Sequence, residues 1–467
     1  MRRIAALLAL ACSAHGFRGS RVGRRPRVDA VRYLTRPQDV GIARPDARRT
    51  HTLTSRPAAA VTSDSTAQAQ TPSTTKKKKV LFLMSDTGGG HRASSKALVN
   101  ALERLYPGKI DAEIVDIWTE HAGWPYKNFV PYYAVMAKRT WMWRMMWYYG
   151  RFWPTRKLQE IATRIQCSRR FGKCIADAKP DLVVSVHPLC QDIPLRQLAK
   201  IDGGSRKTPF VTVVTDLGSA HNTWFDGRGD YTFVPSDALE KMASRCGVPE
   251  DKIIKRGLPL REGFWDLAGS EKIKEATRVK LGLTTGVPTA LVVGGGDGVG
   301  GIAKVATALG DALGEAKDPS GLVVVCGKNA QVKKELEERN WPDNVKPTIL
   351  GFVDNMDEWM AAADCIVTKA GPGTIAEAAT RGLPCLLSSH LPGQEAGNVK
   401  FVVENGFGAF VKKPAKIGAT IAQWFSDLNL RERLSSKALE AARPSATLDI
   451  ARDIGGLLFE GKAPQQA

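Results

Sequence analysis

Three glycine-rich turns are the first places in this sequence where chemistry could occur. Ser85-Asp86-Thr87-Gly88-Gly89-Gly90-His91-Arg92 ends an apolar run and opens a helical pattern. Gly294-Gly295-Gly296-Asp297-Gly298-Val299-Gly300 follows a second such run. Lys369-Ala370-Gly371-Pro372-Gly373-Thr374 follows a third, with Glu377 one helical turn later. Glycines there permit positive φ and close approach of a ligand, and a helix N-terminus offers free N–H groups to an anion. None is a P-loop, since G-x-x-x-x-G-K-[ST] is absent. After Gly296-x-Gly298-x-Gly300 no acid sits about 20 residues on at the end of a strand, so a nicotinamide cofactor is the weaker reading. Any one turn could be purely structural. Three of them, spread over two βαβ series, favour a phosphate-bearing ligand in a cleft.

His91 is the residue of most chemical interest. An imidazole at a strand's carboxyl end would face such a cleft and could serve as general base near neutral pH. Alternatively it caps the turn. Asp86 could orient it, or be an ordinary turn residue. No D-x-D occurs anywhere in the chain. That argues against a metal-dependent nucleotide-sugar transferase, so no metal is expected, and helix N-termini, amides and arginine would neutralise a pyrophosphate. Arg261, in Gly257-Leu258-Pro259-Leu260-Arg261, is a candidate for that work or else a surface arginine.

The elements that must hold these turns are short apolar runs alternating with helical patterns. Strand-like runs lie at 80–84, 112–117, 181–186, 210–215 and 231–234, with helices near 92–105, 156–178 and 236–246. A second series has strands at 289–293, 322–326, 348–350, 365–368 and 385–388, with helices near 302–313, 330–339, 374–381, 396–404 and 417–425. Such alternation predicts an α/β protein of parallel βαβ units, two Rossmann-like domains facing an interdomain cleft. The expected divisions are a leader (1–76), a first domain (77–262), a second (263–445) and a tail (446–467) that packs back on the first. The connection at 262–286 reads as a hinge.

The length, 467 residues, is ample for such a pair. The eight cysteines never form C-x-x-C, which argues against a disulfide scaffold or zinc ribbon. The formal net charge is +20, and its placement matters more than its size. Residues 1–79 carry +13, in an Arg-rich, acid-poor stretch behind a short apolar run at Ile4–Leu10. That composition suggests a signal plus transit peptide, as for a plastid of secondary origin, rather than fold. A further +10 lies at 127–173, and six of the eleven tryptophans fall between 118 and 153. Tryptophan with Lys/Arg suits a membrane interface, and Lys138, Arg139 and Arg144 prevent a spanning helix. Trp124, Pro125, Trp141, Trp143, Arg139 and Arg144 are therefore candidate membrane residues. Trp224 is either a lipid contact or core filler. No nucleic-acid motif accompanies the charge, so an anionic membrane is preferred to nucleic acid as partner.

The motifs together resemble the plant-type monogalactosyldiacylglycerol synthases, from about residue 77 to 445. The matching segments are Val80–Ser94, Ser185–Leu189, Thr215-Asp216-Leu217, Thr223-Trp224-Phe225, Thr368–Ala378 and Gly393–Gly406. The resemblance implies a GT-B fold and inverting transfer of galactose from UDP-galactose to diacylglycerol. It implies His91 as base, with Asp86 beside it, and no cofactor beyond the donor. Gly371, Gly373 and Thr374, with Ala370, would meet the pyrophosphate, and Glu377 the ribose. Gln394, Glu395 and Asn398 would hold galactose hydroxyls. Phe352 and Val353 would read uracil by their backbone, and Gly89, Gly90, Gly295 and Gly296 would line the cleft. Activation by anionic lipid, a plastid envelope location and a homodimer are compatible. A lipid glycosyltransferase using UDP-glucose or UDP-N-acetylglucosamine, or a non-catalytic UDP-sugar sensor, remains the alternative.

Overall fold

β1 (Lys78–Met84) is buried along most of its length, and both its neighbours run parallel to it. Parallel strands covered on both faces read as continuous apolar runs, which is why Val80–Met84 has no alternation. The computed structural model describes residues 76–137, 139–265, 270–294 and 301–465, which lie in one compact unit. Residues 1–75 of the expected leader and the turn at Gly295 and Gly296 lie outside the described residues.

The first half continues from β1 into α1 (Gly90–Leu105), β2 (Ile110–Asp116) and α2 (Ile117–His121). Three helices follow: α3 (Phe129–Ala137), α4 (Thr140–Arg151) and α5 (Trp153–Ala178). Then come β3 (Leu182–Ser185), α6 (Asp192–Ile201), β4 (Phe210–Val213), β5 (Tyr231–Val234), α7 (Asp237–Arg245) and β6 (Ile253–Lys255). The six strands form one parallel sheet in the order β2-β1-β3-β4-β5-β6.

The second half opens with α8 (Ser270–Lys280), β7 (Thr289–Val293), α9 (Ile302–Glu315) and β8 (Ser320–Val325). It continues through α10 (Ala330–Glu337), β9 (Val345–Leu350), α11 (Met356–Ala362), β10 (Cys365–Lys369) and α12 (Pro372–Thr380). β11 (Cys385–Ser389), α13 (Ala396–Glu404), β12 (Gly408–Phe410), α14 (Pro414–Ser426), α15 (Leu428–Ala441) and α16 (Ala446–Phe459) complete it. Its sheet, also parallel, runs β12-β11-β10-β7-β8-β9.

Both sheets reverse their strand order once, between β1 and β3 and between β7 and β10. Ligands of open parallel sheets sit beyond the strand carboxyl ends at such reversals. The His91 turn leaves β1, and the Ala370–Thr374 turn leaves β10, so each occupies a reversal.

Within the expected connection, α8 is held to the second half. In α8, Arg278 donates to the Asp364 carboxylate at 2.5 Å and to the Ala362 carbonyl at 2.9 Å. The tail returns to the first half as α16. Ile450, Ala451 and Ile454 enter the core around β1 and α1, and Arg256 pairs with Asp453 at 2.9 Å. Thr447 Oγ1 also donates to the Leu260 carbonyl at 3.0 Å. Cys167 and Cys174 are buried free thiols on α5.

Candidate active site

β1 ends at Met84, and after Ser85 the chain turns on Gly88, whose φ of +86° suits glycine alone. Gly89 and Gly90 are exposed, with nothing within 4 Å of a Cβ at either position. The turn delivers His91 to the first residues of α1, half-buried. Its Nδ1 lies 2.8 Å from the Val186 carbonyl and 2.9 Å from Thr215 Oγ1. A carbonyl only accepts, so Nδ1 carries the ring proton and Nε2 keeps its lone pair. His187 packs edge-on at 4.7 Å between centroids. Its own Nδ1 accepts the Leu189 N–H, and its Nε2 contacts Thr87 Oγ1 at 2.9 Å. Burial pushes the His91 imidazole down to about 4, against the opposing Val186 bond and Asp86 charge. It is therefore neutral at physiological pH.

Asp86 does not orient His91. Its carboxylate is held by Arg92, with Nε donating to Oδ1 at 2.8 Å and Nη2 to Oδ2 at 2.6 Å. Only its charge reaches the imidazole, while Val186 and Thr215 from two other strand ends fix the ring. Arg92 sits on α1 six residues after Asp86, so a turn that bends back on itself closes this pair more readily than one with His91.

Asp216, next to Thr215, is buried, and its Oδ2 accepts Trp224 Nε1–H at 2.7 Å. Burial pushes its carboxyl up to about 7, with Trp224 and Gln394 pulling down and the Glu395 charge pushing up. Trp224 is wholly buried, 6.0 Å from the His91 ring. The lipid-contact reading of Trp224 thus fails, because its indole N–H is committed to a buried carboxyl inside the first domain.

In the second half, Ala370 and Gly371 are buried and Gly373 and Thr374 half-buried at the start of α12, which no side chain caps. Glu377 accepts Arg261 Nη2–H at 2.8 Å and Nε–H at 3.2 Å, so these two predicted residues meet each other. Burial raises the Glu377 carboxyl and Arg261 opposes it. Phe352 is exposed, and Val353 packs partly against the apolar cluster that holds Leu291, Ile366 and Ile375.

The predicted sugar-binding trio divides. Gln394 is half-buried beside Asp216. Glu395 is buried, bonded to Lys369 Nζ at 2.8 Å and to the Leu391 N–H at 2.7 Å. Asn398 is not free for a sugar. Its Oδ1 accepts the Gly218 N–H at 2.8 Å and its Nδ2 donates to the Ala370 carbonyl at 2.9 Å. Gly218 comes from the loop after β4, so this one side chain ties the two sheets' turns together. Gly397 makes the approach possible, since a Cβ there would stand 2.2 Å from the Gly218 oxygen. Lys369 was visible in the third turn but had no assigned role. Its partner is 26 residues away, and no local spacing announces it.

The membrane candidates also divide. Trp124, Trp141, Arg139 and Arg144 are exposed, with Met145, Tyr148, Phe152 and Trp153 beside them. Pro125 is half-buried next to Trp124. Trp143 turns inward, and its Nε1 donates to the Pro392 carbonyl at 3.0 Å. Trp147, one turn on, is buried so close to Gly393 that a Cβ there would lie 2.5 Å from its Nε1. The 143/147 spacing is the helical signal separating these two rings from 141, 145 and 148. Among the described residues no helix is long and apolar enough to cross a membrane, and no group of three or more His, Cys, Asp or Glu could hold a metal ion.

With a neutral histidine and a glycine turn on the two sides of one seam, relatives decide the family. The model of monogalactosyldiacylglycerol (MGDG) synthase matches residues 91–260, and that of the glycosyltransferase family 28 C-terminal domain matches 289–443. The chloroplastic monogalactosyldiacylglycerol synthase of Spinacia oleracea is 40% identical over 382 residues, 81% of this chain and 72% of that one. Monogalactosyldiacylglycerol synthase 1 of Arabidopsis thaliana is 39% identical over 384 residues, 81% and 70% of the two chains. The chain belongs to the monogalactosyldiacylglycerol synthase family. This family member also shares its fold with Acinetobacter baumannii MurG, at TM-score 0.51 and 15% identity over 80% of this chain and 98% of that one. CalG4, the calicheamicin glycosyltransferase, gives 0.51 at 16% over 81% and 98%. The fold is GT-B, two Rossmann-like halves about a cleft.

Proposed function

We propose that the chain transfers galactose from UDP-galactose to the 3-hydroxyl of 1,2-diacylglycerol with inversion. The observation that carries this is His91, whose Nε2 lone pair is fixed by the Nδ1 bond to Val186, in a domain seamed by Asn398 to the turn at Ala370–Thr374. The acceptor oxygen forms its bond to the anomeric carbon while the bond to the UDP oxygen breaks on the opposite face. The hydroxyl proton passes to His91 Nε2, and the Val186 carbonyl and Thr215 hydroxyl steady the imidazolium. An imidazole pushed down to about 4 is a weak base. The donor's diphosphate brings negative charge into the same cleft and raises its proton affinity.

The α12 N-terminus and Arg261 carry pyrophosphate charge, Glu377 takes ribose hydroxyls and the Gln394–Glu395 pair meets the galactose. Gly89 and Gly90 leave room above α1, and the backbone at Phe352 and Val353 reads the base. No obligatory metal enters this scheme. The relatives' names carry the word chloroplastic, and with the Arg-rich first 75 residues this supports a plastid envelope location. The exposed face of α4 and α5 supports peripheral docking on an anionic leaflet and lateral delivery of diacylglycerol, with activation by anionic lipid.

The decisive test offers radiolabelled UDP-galactose, UDP-glucose and UDP-N-acetylglucosamine with diacylglycerol in vesicles. Galactolipid from the first donor alone is expected. Transfer only from another donor, or from none, overturns the proposal.

A further inference from the structure

Both carboxylates assigned to donor hydroxyls are held here by cations. Arg261 holds Glu377 at 2.8 Å, and Lys369 holds Glu395 at 2.8 Å. The cations are the more exposed partners, with side chains 40% and 37% accessible against 13% and 5% for the carboxylates. Each carboxylate therefore lies behind a cation that faces outward. Lys369 stands in an electrostatically awkward place. Its Nζ lies 3.7 Å from the position of a Cβ on Gly371, so it overhangs the start of α12. A helix N-terminus is the positive end of the macrodipole, and an ammonium there is favoured only when an anion shares the position. Glu395 supplies a carboxylate from one side, and its second oxygen is already tied to the Leu391 N–H.

We propose that Lys369 is a donor-phosphate cation and that Lys369 and Glu395 form an exchange pair. The diphosphate takes the ammonium, and Glu395 is released to accept hydroxyls of the sugar carried by the same nucleotide. This rests on the donor-binding reading above. The exchange ties sugar recognition to phosphate recognition. A nucleotide without sugar separates the pair and leaves a buried carboxylate unpaired, which is strongly unfavourable. A nucleotide with its sugar replaces the lost partner with hydroxyl donors.

Calorimetric titration of the full chain with uridine, UDP and UDP-galactose, without acceptor, tests this. Lys369→Met should weaken UDP about tenfold or more, leave uridine unchanged, and be largely rescued by Lys369→Arg, since one phosphate cation is lost and restored. Glu395→Gln keeps an acceptor for Leu391 but releases Lys369. It should tighten UDP several-fold while reducing the preference for UDP-galactose over UDP. A misfolded variant cannot gain affinity, so that gain is diagnostic. Uridine and UDP weakened alike by Lys369→Met, or UDP not tightened by Glu395→Gln, overturns the exchange. Wild-type protein that binds neither uridine nor UDP instead refutes the donor site itself.

Discussion

Asn398 and Gly218 meet across the two halves of the molecule, the Gly218 N–H donating to Asn398 Oδ1 at 2.8 Å. The same asparagine donates to the Ala370 carbonyl, so one side chain joins the loop beside Thr215 to the turn that opens α12. Asn398→Ala leaves both backbone groups without a partner, at about 1–3 kcal/mol each. Gly218→Ala places a Cβ 2.1 Å from the Gly397 oxygen and forces the seam open. Both variants should melt several degrees lower and lose turnover by more than tenfold, with uridine affinity nearly retained. Melting curves and turnover at saturating donor check this.

His91→Ala should abolish turnover and leave UDP affinity within a few-fold of wild type. The wild-type pH profile carries a sign as well. Below the imidazole's ionisation the base is protonated and the rate falls. The acid limb of kcat/KM should therefore fall near 4, below the ordinary histidine range. The limb of kcat should lie higher, because bound diphosphate favours the charged ring. A kcat/KM limb at or above 6.5 contradicts the buried, carbonyl-bonded imidazole.

Asp216 predicts an unusual pH dependence of stability. Its folded carboxyl ionises near 7, whereas an unfolded one ionises near 3.8. Between these values the folded state holds the extra proton, so stability falls as pH rises through that window. Asp216→Asn keeps an acceptor for Trp224 and removes the fall. Its melting temperature relative to wild type should climb from pH 4 to pH 7 and then level off, by several degrees in total.

The rings of α4 should separate into two functions. Trp141→Ala, or reversal of Arg139 and Arg144 to glutamate, should weaken binding to anionic vesicles about tenfold at low salt. The reversed variant should also lose salt dependence, and both should spare UDP affinity. Trp143→Phe should spare vesicle binding and raise KM for the sugar nucleotide several-fold, since it removes the donor to Pro392. Vesicle sedimentation and donor kinetics on the same preparations distinguish them.

Much of this was legible in the sequence, for reasons that differ by residue. His91 sits in a turn where Gly88 takes the positive φ that glycine marks, and the buried parallel strands reveal themselves as unbroken apolar runs. β6 and β12 are three residues each at sheet edges, too short to show a pattern. Asn398, Lys369 and Arg92 take their meaning from partners that only folding brings together. Trp143 and Trp224 share composition with the exposed tryptophans, and only the helix phase in one case and the buried Asp216 carboxyl in the other decide their direction. The tie of α8 to Asp364 was hidden because Gly, Ser, Glu and Lys describe a linker and a solvated helix equally well.

The contact of Trp143 and Trp147 with Pro392 and Gly393 has a spatial consequence. In the proposed membrane docking, the helix whose exposed Trp141 and Tyr148 meet lipid is also the shelf on which the Gln394–Glu395 loop rests. The height of that loop above the bilayer surface is therefore set by how deeply the outer rings settle. An acceptor confined to two dimensions then meets a donor held at fixed altitude, and the encounter becomes a search within a plane rather than through a volume.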